Sequence, residues 1–257
     1  MKKQIFFAAN FLFQIICLCL VLQVAANAAD LHDKSYFNVR NFGAAGDGTT
    51  LDSPAINKAI DACAANGGGT VYFPAGTYLS GSIHLKSNIH LLVDAGATIL
   101  GAPQSMNAYD FTEPWTNNPY QDGGHCYFHN SLIWGESLTN VFISGNGMIN
   151  GGGLIRSDGL LDHMCGFSHW KNPEVEQKNY PPVRLGNKAI ALKRCRNVLI
   201  RDITIFHGGH FAILVTGCDD MTVDNVTMDT DRDGIDIDCC KNTTVSNCLI
   251  NSPNDDG

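Results

Sequence analysis

The stretch that decides the fold is CRNVLIRDITI, from Cys195 to Ile205, in which apolar residues lie at offsets 3, 5, 8 and 10 from the cysteine. Copies of this pattern begin at Cys218 and Cys240, which lie 23 and 22 residues further along the chain. In the three copies these offsets are filled by Val198, Ile200, Ile203 and Ile205, by Met221, Val223, Val226 and Met228, and by Thr243, Val245, Cys248 and Ile250. A repeat of this length, built from alternating apolar positions, indicates a solenoid.

An earlier and less regular copy begins at Leu138, with Val141, Ile143 and Met148 at offsets 3, 5 and 10 and the polar Asn146 at offset 8. The short paired strands predict an all-β fold, the right-handed parallel β-helix, in which coils of roughly 22 residues stack about 4.8 Å apart. A leucine-rich repeat would need more leucines and a helix in each repeat. Chance periodicity in a β-sandwich is the other alternative.

One segment has helical periodicity instead. Asp52 and Ser53 are N-cap candidates, and Pro54 suits the first helical turn. The apolar residues that follow form a single stripe, made of Ile56, Ala59, Ile60 and Cys63. We predict a helix from Ser53 to Asn66 that covers the open first coil, because the terminal repeats of a solenoid must be capped.

Composition narrows the class of protein. The chain has 257 residues, 44% of them hydrophobic and 16% charged, which argues against disorder and against a coiled coil. Its formal net charge of −8 gives no electrostatic footprint for nucleic acid. The 26 glycines have no Gly-X-Y period, which excludes collagen.

The N-terminal segment has the pattern of a secretory signal peptide, which we assign to residues 1–28. Lys2 and Lys3 precede an apolar run from Ile5 to Val24, and Ala26-Asn27-Ala28 is a small-x-small cleavage site. A signal anchor is the alternative, since the run is nearly long enough to span a membrane. No later stretch is that apolar, so we expect a secreted protein, extracellular or in the cell wall, with one β-helix domain over residues 29–257.

Cleavage after residue 28 would leave 17 − 2 = 15 basic and 25 acidic residues, a net charge of 15 − 25 = −10. Eight cysteines would remain, and outside the cell some of them are expected to pair. Asn225 and Asn242 each begin a glycosylation sequon, which makes them candidate glycosylation sites.

The cysteines at the start of the repeats, Cys195, Cys218 and Cys240, share one position of the coil. If they point inward they form a buried sulfur column, because cysteine behaves as a small hydrophobe. Neighbours on adjacent coils would also lie within the Cα range of a disulfide, about 4.4–6.8 Å. We expect the unpaired column.

The repeat also predicts which carboxylates stack. Ile235 lies 22 residues after Ile213, so Asp233 should stack on the residue two before Ile213, and Asp255 should stack on Asp233, with Asp256 beside it. Like charges this close push their pKa values apart, so one carboxyl can hold a proton while another is ionised. That pairing suits glycosidic bond hydrolysis. Calcium binding and Asx turns at the corners of coils are alternatives for the same residues.

Four stretches resemble a known family. Tyr36–Gly48 (YFNVRNFGAAGDG) and Gly67–Tyr78 (GGGTVYFPAGTY) resemble the N-terminal signature of pectin-lyase-like β-helices. Asp231–Asp236 (DRDGID) and Ser252–Gly257 (SPNDDG) resemble the first two catalytic motifs of family 28 glycoside hydrolases, the polygalacturonases. The resemblance covers nearly all of residues 29–257.

The resemblance implies a hydrolase of α-1,4-galacturonosyl bonds in pectin, the homogalacturonan polysaccharide of plant cell walls. It implies that Asp255 is the general acid and that Asp233 and Asp256 activate water, with inversion of configuration and with no metal or other cofactor. Substrate-binding residues stay unassigned. We expect a monomer whose partner is pectin, with no nucleic-acid partner and no membrane association after signal removal.

Two departures from the family pattern matter. The usual Asn-Thr-Asp is Asp231-Arg232-Asp233 here, and the family's Gly-His-Gly and Arg-x-Lys motifs lie downstream of the paired aspartates, beyond Gly257. We therefore expect a truncated chain that lacks C-terminal coils and is weak or inactive. The alternatives are a non-catalytic pectin-binding β-helix and a calcium-dependent pectate lyase, which would lack the double-Asp motifs.

Two further features have ordinary explanations. His207-Gly208-Gly209-His210 contains two histidines but no clear third metal ligand, so we do not expect a zinc site there. The long segment from Gly151 to Pro182 interrupts the repeat. It either walls the cleft, which would favour attack at chain ends, or is a plain surface loop.

Overall fold

The computed structural model describes residues 35–113, 125, 127–155, 184–254 and 256–257. Four predictions fall outside these residues: the signal peptide, any pairing of Cys126 or Cys165, the path of most of the 151–182 segment, and the placement of Asp255. Among the residues that are described, no helix is both long and apolar enough to cross a bilayer.

In the described residues, nineteen strands form three sheets of a right-handed parallel β-helix, as predicted, and the ladders between neighbouring strands are parallel. The first sheet contains β1 (Tyr36–Asn38), β3 (Gly69–Phe73), β6 (Ile89–Val93), β9 (Thr139–Ser144), β12 (Arg196–Arg201), β15 (Asp219–Asp224) and β18 (Lys241–Ser246). The second contains β2 (Asp47–Leu51), β4 (Gly76–Ser80), β7 (Ala97–Gly101), β10 (Met148–Asn150), β13 (Thr204–Phe206), β16 (Thr227–Asp229) and β19 (Leu249–Asn251). The third contains β5 (Ile83–His84), β8 (Ile133–Glu136), β11 (Lys188–Lys193), β14 (Phe211–Thr216) and β17 (Asp233–Asp238).

The register of the three repeats is confirmed. Val198 pairs with Met221 and Met221 with Thr243, while Ile205 pairs with Met228 and Met228 with Ile250. The inward positions of all three sheets meet in one continuous core that includes all of these residues except Thr243. Each coil therefore buries its apolar side chains on those of its neighbours.

The prediction was wrong by one residue in the earliest copy. Ile149, not Met148, pairs with Ile205 and is fully buried, whereas Met148 pairs with Thr204 and is only partly buried. The turn between β9 and β10 contains one more residue than its counterparts. A Cβ on Gly147 in this turn would lie 2.6 Å from the side chain of Val93, so the tight path there requires glycine.

The predicted helix is present as α1 (Ser53–Ala65), with Asn66 as its C-cap. Its stripe is fully buried against the first coils, and this packing closes the N-terminal end of the core. Asp52 lies at the N-cap position but makes no capping bond. Its buried carboxylate instead accepts hydrogen bonds from the backbone N–H groups of Ala45 (2.7 Å) and Gly46 (2.9 Å), which fixes the preceding turn.

Asparagines in left-handed backbone conformation line one corner of the coils. Asn140 and Asn197 have φ values of 58° and 53°, a region that asparagine tolerates better than most residues. The Asn197 amide donates to the side-chain oxygen of Asn140, and Asn140 donates to Asn88, each over 2.7 Å. The side chains thus form a hydrogen-bonded ladder along the solenoid.

The cysteine column is confirmed among the described residues. Cys195, Cys218 and Cys240 are free thiols, the first two buried and the third partly buried. The Cys218 sulfur accepts a bond from the Cys195 N–H at 3.4 Å, and the Cys240 sulfur accepts one from the Cys218 N–H at 3.3 Å. Hydrogen bonding to Cys195 and burial both raise the pKa of Cys218, so this thiol stays protonated at neutral pH.

Candidate active site

Three aspartates project from the outer face of β17. Asp233 pairs with Phe211 and Asp236 with Leu214, and these two partners belong to an apolar cluster outside the core. By contrast, Ile235 and its partner Ile213 pack in the core. Asp233, Asp236 and Asp238 are each half-buried. The predicted stacking of Asp233 on the coil of Phe211 is confirmed.

The segment after β19 returns to the start of β17. The Gly234 N–H donates to the backbone oxygen of Asp256 over 3.1 Å, a separation of 22 residues that matches the coil period. The Ser252 hydroxyl oxygen lies 2.8 Å from both the Asp256 and the Arg232 carbonyl oxygens, and its single proton can be donated to either one. Asp256 is therefore held beside the strand that bears Asp233, and its side chain is exposed. Asp255, the predicted general acid, lies outside the described residues.

A cation lies directly before Asp233. The guanidinium of Arg232 donates to Nδ1 of the buried His210 at 3.1 Å. His207 points elsewhere, with its Nδ1 3.7 Å from the Asp231 carboxylate. The two histidines of the His-Gly-Gly-His stretch thus make separate contacts, and in the described part of the chain they do not share a third ligand.

His125 reaches β17 from the segment that connects β7 to β8. Its Nε2 lies 2.7 Å from a carboxylate oxygen of Asp236 and 3.9 Å from one of Asp238. The ligand atoms of these three residues lie within 4.8 Å of one another, so among the described residues this group has the composition to hold a metal ion. Hydrogen bonds already occupy some of these ligand atoms: His125 donates to Asp236, and the Thr216 hydroxyl donates to Asp238 over 3.1 Å.

The outer face of the preceding coils is covered rather than open. Phe128 packs on Ala191, Phe211 and Leu214, and all four side chains are fully buried. The buried Lys188 ammonium donates to the Tyr127 carbonyl over 2.8 Å, which ties this cover to β11. Toward the N terminus of the solenoid, the coils that precede Asp233 therefore carry buried apolar side chains on this face.

A polar and aromatic cluster continues this cover over β5 and β8. One carboxylate oxygen of Asp110 accepts bonds from His84 (2.6 Å) and from the Trp134 indole (2.8 Å). His129 stacks on Trp134 with ring centroids 3.9 Å apart. Burial raises the pKa of Asp110, but the bonds from His84 and Trp134 together with the His84 charge outweigh it and leave the pKa below its usual value.

The two sequon asparagines are exposed and lie off the third sheet, Asn225 in the turn between β15 and β16 and Asn242 in β18. Asn225 donates to Asp202 at 2.9 Å and Asn242 donates to Asp220 at 3.0 Å. Each keeps a second amide hydrogen outside that bond. Their glycosylation stays a prediction.

Sequence reasoning missed His125, and it named Arg232 and His210 without predicting their contact beside Asp233. The outward position of Asp236 could be predicted from its place between Ile235 and Ile237, because successive side chains of a strand point to opposite faces. The His125 contact spans 111 residues and comes from a segment without periodicity, so no sequence signal could have found it.

Two curated proteins are similar to this chain over most of its length. A protein named "Probable polygalacturonase" from Vitis vinifera is 27% identical over 242 residues, covering 91% of this chain and 45% of that protein. The exo-poly-alpha-D-galacturonosidase of Dickeya chrysanthemi is 28% identical over 250 residues, covering 85% of this chain and 40% of that protein. The chain spans less than half the length of each of these relatives.

The fold has a close structural counterpart. The hyperthermoactive exopolygalacturonase of Thermotoga maritima superposes with a TM-score of 0.66 at 24% identity, covering 84% of this chain and 52% of that one. This likeness confirms the β-helix. Residues 36–257 match the family described as "Rhamnogalacturonase A/epimerase, pectate lyase-like". The match covers most of the chain and takes in the two pectin-lyase-like stretches as well as the two polygalacturonase motifs, and on this ground the chain belongs to that family.

Proposed function

We propose that this chain carries the acid–base centre of a secreted, pectin-degrading glycoside hydrolase that cleaves α-1,4-galacturonosyl bonds with inversion. One observation supports the proposal: Asp233 lies on the outer face of β17, and the strand is bonded through Gly234 to the backbone of Asp256. Two motif segments that lie one coil apart in the sequence are thereby neighbours in the fold. The similarity to polygalacturonases supports the same substrate class.

The roles follow from the chemistry of the bond. Asp255 donates the proton to the leaving oxygen, and Asp233 and Asp256 take a proton from the attacking water. Water must fit between acid and base in an inverting enzyme, which needs carboxyl groups about 6.5–9.5 Å apart. Arg232 supplies positive charge beside Asp233, and its planar fork suits the carboxylate of a galacturonate unit.

The test is a long incubation of the protein with polygalacturonate. The readout is the formation of saturated reducing ends, and NMR identifies which anomer forms first. We expect slow hydrolysis with the β-anomer as the first product. Asp255→Asn should abolish it, since an amide cannot donate the proton, and Asp233→Asn and Asp256→Asn should each lower it at least about a hundredfold. Asp61→Asn, on the exposed face of α1, is the matched control.

Other outcomes would replace the proposal. Unsaturated products that absorb in the ultraviolet would indicate a lyase. Binding of oligogalacturonates without any hydrolysis would indicate a non-catalytic binding module. The absence of both binding and hydrolysis would contradict a pectin substrate altogether.

A further inference from the structure

Three ligand groups converge on the side of β17 that adjoins β14. Asp236 and Asp238 are two residues apart on the strand, so their carboxylates lie on the same outer face. His125 approaches them from the segment between β7 and β8, with its ring 5.0 Å from that of Phe211 on β14. Thr216, also on β14, donates to Asp238. Because these contacts come from β14, the group depends only on residues that the structure describes.

The spacing of the ligand atoms fits a four-coordinate zinc ion. The His125 Nε2 lies 2.7 Å from an oxygen of Asp236 and 3.9 Å from an oxygen of Asp238, and the three ligand atoms lie within 4.8 Å of one another. Zinc bonds of about 2.0–2.2 Å, arranged as a tetrahedron, separate neighbouring ligand atoms by about 3.3 Å. The two measured distances lie on either side of that value, so adjustments of about 0.6 Å would complete the geometry.

The chemistry of the donors selects among cations. One imidazole nitrogen with two carboxylate oxygens suits zinc, whereas calcium takes oxygen ligands only and magnesium keeps most of its waters. Asp236 and Asp238 are half-buried like charges, and a dication between them would offset their repulsion. The His125 side chain is only 11% exposed, and the bond from Thr216 orients Asp238, as the outer partners of metal ligands do.

We propose that His125, Asp236 and Asp238 form a zinc site, with three protein ligands and a fourth position for water. The ion takes the place of the proton that Nε2 donates to Asp236, and this proton passes to Nδ1 or to solvent. Bound zinc ties the irregular segment that bears His125 to β17. The inference does not rest on the proposed function, since the proposed catalytic aspartates are not among the ligands.

The test is calorimetric titration of the metal-free chain with zinc chloride, and in parallel with calcium and magnesium chloride. Accessible thiols are first blocked by alkylation, because the exposed Cys239 could itself bind zinc. We expect one zinc ion per chain, bound at least about tenfold more tightly than calcium or magnesium. Cobalt gives a second readout, since four-coordinate Co²⁺ absorbs visible light far more strongly than six-coordinate Co²⁺ does.

Variants separate a metal site from a plain hydrogen bond. Asp236→Asn keeps an oxygen that can accept the His125 bond but removes the charge, so the zinc affinity should fall at least about tenfold. Thr216→Val removes the outer partner of Asp238 and should weaken zinc binding by about tenfold. Asp61→Asn, on the exposed face of α1, is the matched control and should bind zinc like the unmodified chain. Circular dichroism checks that each variant is folded, and Thr216→Val decides if Asp236→Asn is not.

Two results would overturn the site. Zinc binding that is absent from the unmodified chain, or unchanged in the folded variants, would leave His125 and Asp236 as a hydrogen-bonded pair only. Calcium binding tighter than zinc binding would remove the imidazole from the ligand set. Neither result bears on the proposed function, which the hydrolysis of polygalacturonate tests separately.

Discussion

Asp52 shows how one residue can hold the N-terminal signature together. Its carboxylate is 1% exposed and accepts two backbone hydrogen bonds, from Ala45 and Gly46. Asp52→Ala would leave two partly buried N–H groups without their charged acceptor, so we expect a loss of about 2–4 kcal/mol in the free energy of unfolding. Chemical denaturation measures it.

A matched control for that change is Asp61→Ala, because Asp61 is exposed and its ion pair with Lys86 lies at the surface. Surface ion pairs contribute about 0–1 kcal/mol. A similar loss in both variants would contradict the role assigned to the Asp52 carboxylate.

The hydrogen bonds of Asp110 should contribute a part of the folding stability that is lost in acid. Its pKa is lowered in the folded chain, so its contribution is complete above the unfolded pKa of about 3.9 and is lost as the pH falls through the folded value. Between pH 6 and pH 3 the unmodified chain should therefore lose more stability than Asp110→Asn. Denaturation midpoints at the two pH values test this, and equal losses would argue against the contacts with His84 and Trp134.

At the scale of elements, the asparagine corners set the path of the coils. Asn197 combines a φ of 53° with a side-chain bond to Asn140. Asn197→Ala removes the bond and leaves a residue that resists this conformation, so we expect a loss of about 1–3 kcal/mol. Asn197→Gly should lose less, because glycine adopts positive φ freely. A larger loss for Asn197→Gly than for Asn197→Ala would show that the backbone conformation is not the main cause of the loss.

The elements also show what could be predicted from the sequence. Wherever the repeat keeps its period, the register was correct to the residue, because alternation and a constant coil length leave few other pairings. The prediction failed at Met148, where the turn at Gly147 adds one residue and moves the core position to Ile149. The same holds for the site. The position of Asp233 was predicted from the repeat, whereas His125 lies in an irregular segment and its contact with Asp236 depends on the tertiary fold.

At the scale of the whole molecule, α1 protects the first coil. Ile60 is fully buried between the helix and the strands below it. Ile60→Ala should lower the free energy of unfolding by about 2–5 kcal/mol, as large-to-small changes in cores do. Lys58→Ala, on the exposed side of the same helix, should change it by less than about 0.5 kcal/mol. Equal effects would contradict the capping role.

The free thiols give the molecule a built-in set of position markers. Cys63 lies in the helix, and Cys195, Cys218 and Cys240 lie one to a coil along the axis. A thiol-specific reagent can reach a buried sulfur only when the surrounding coil opens, and such openings differ in free energy along a structure. Timed alkylation followed by peptide mass analysis would therefore report, without any introduced probe, where this solenoid comes apart first.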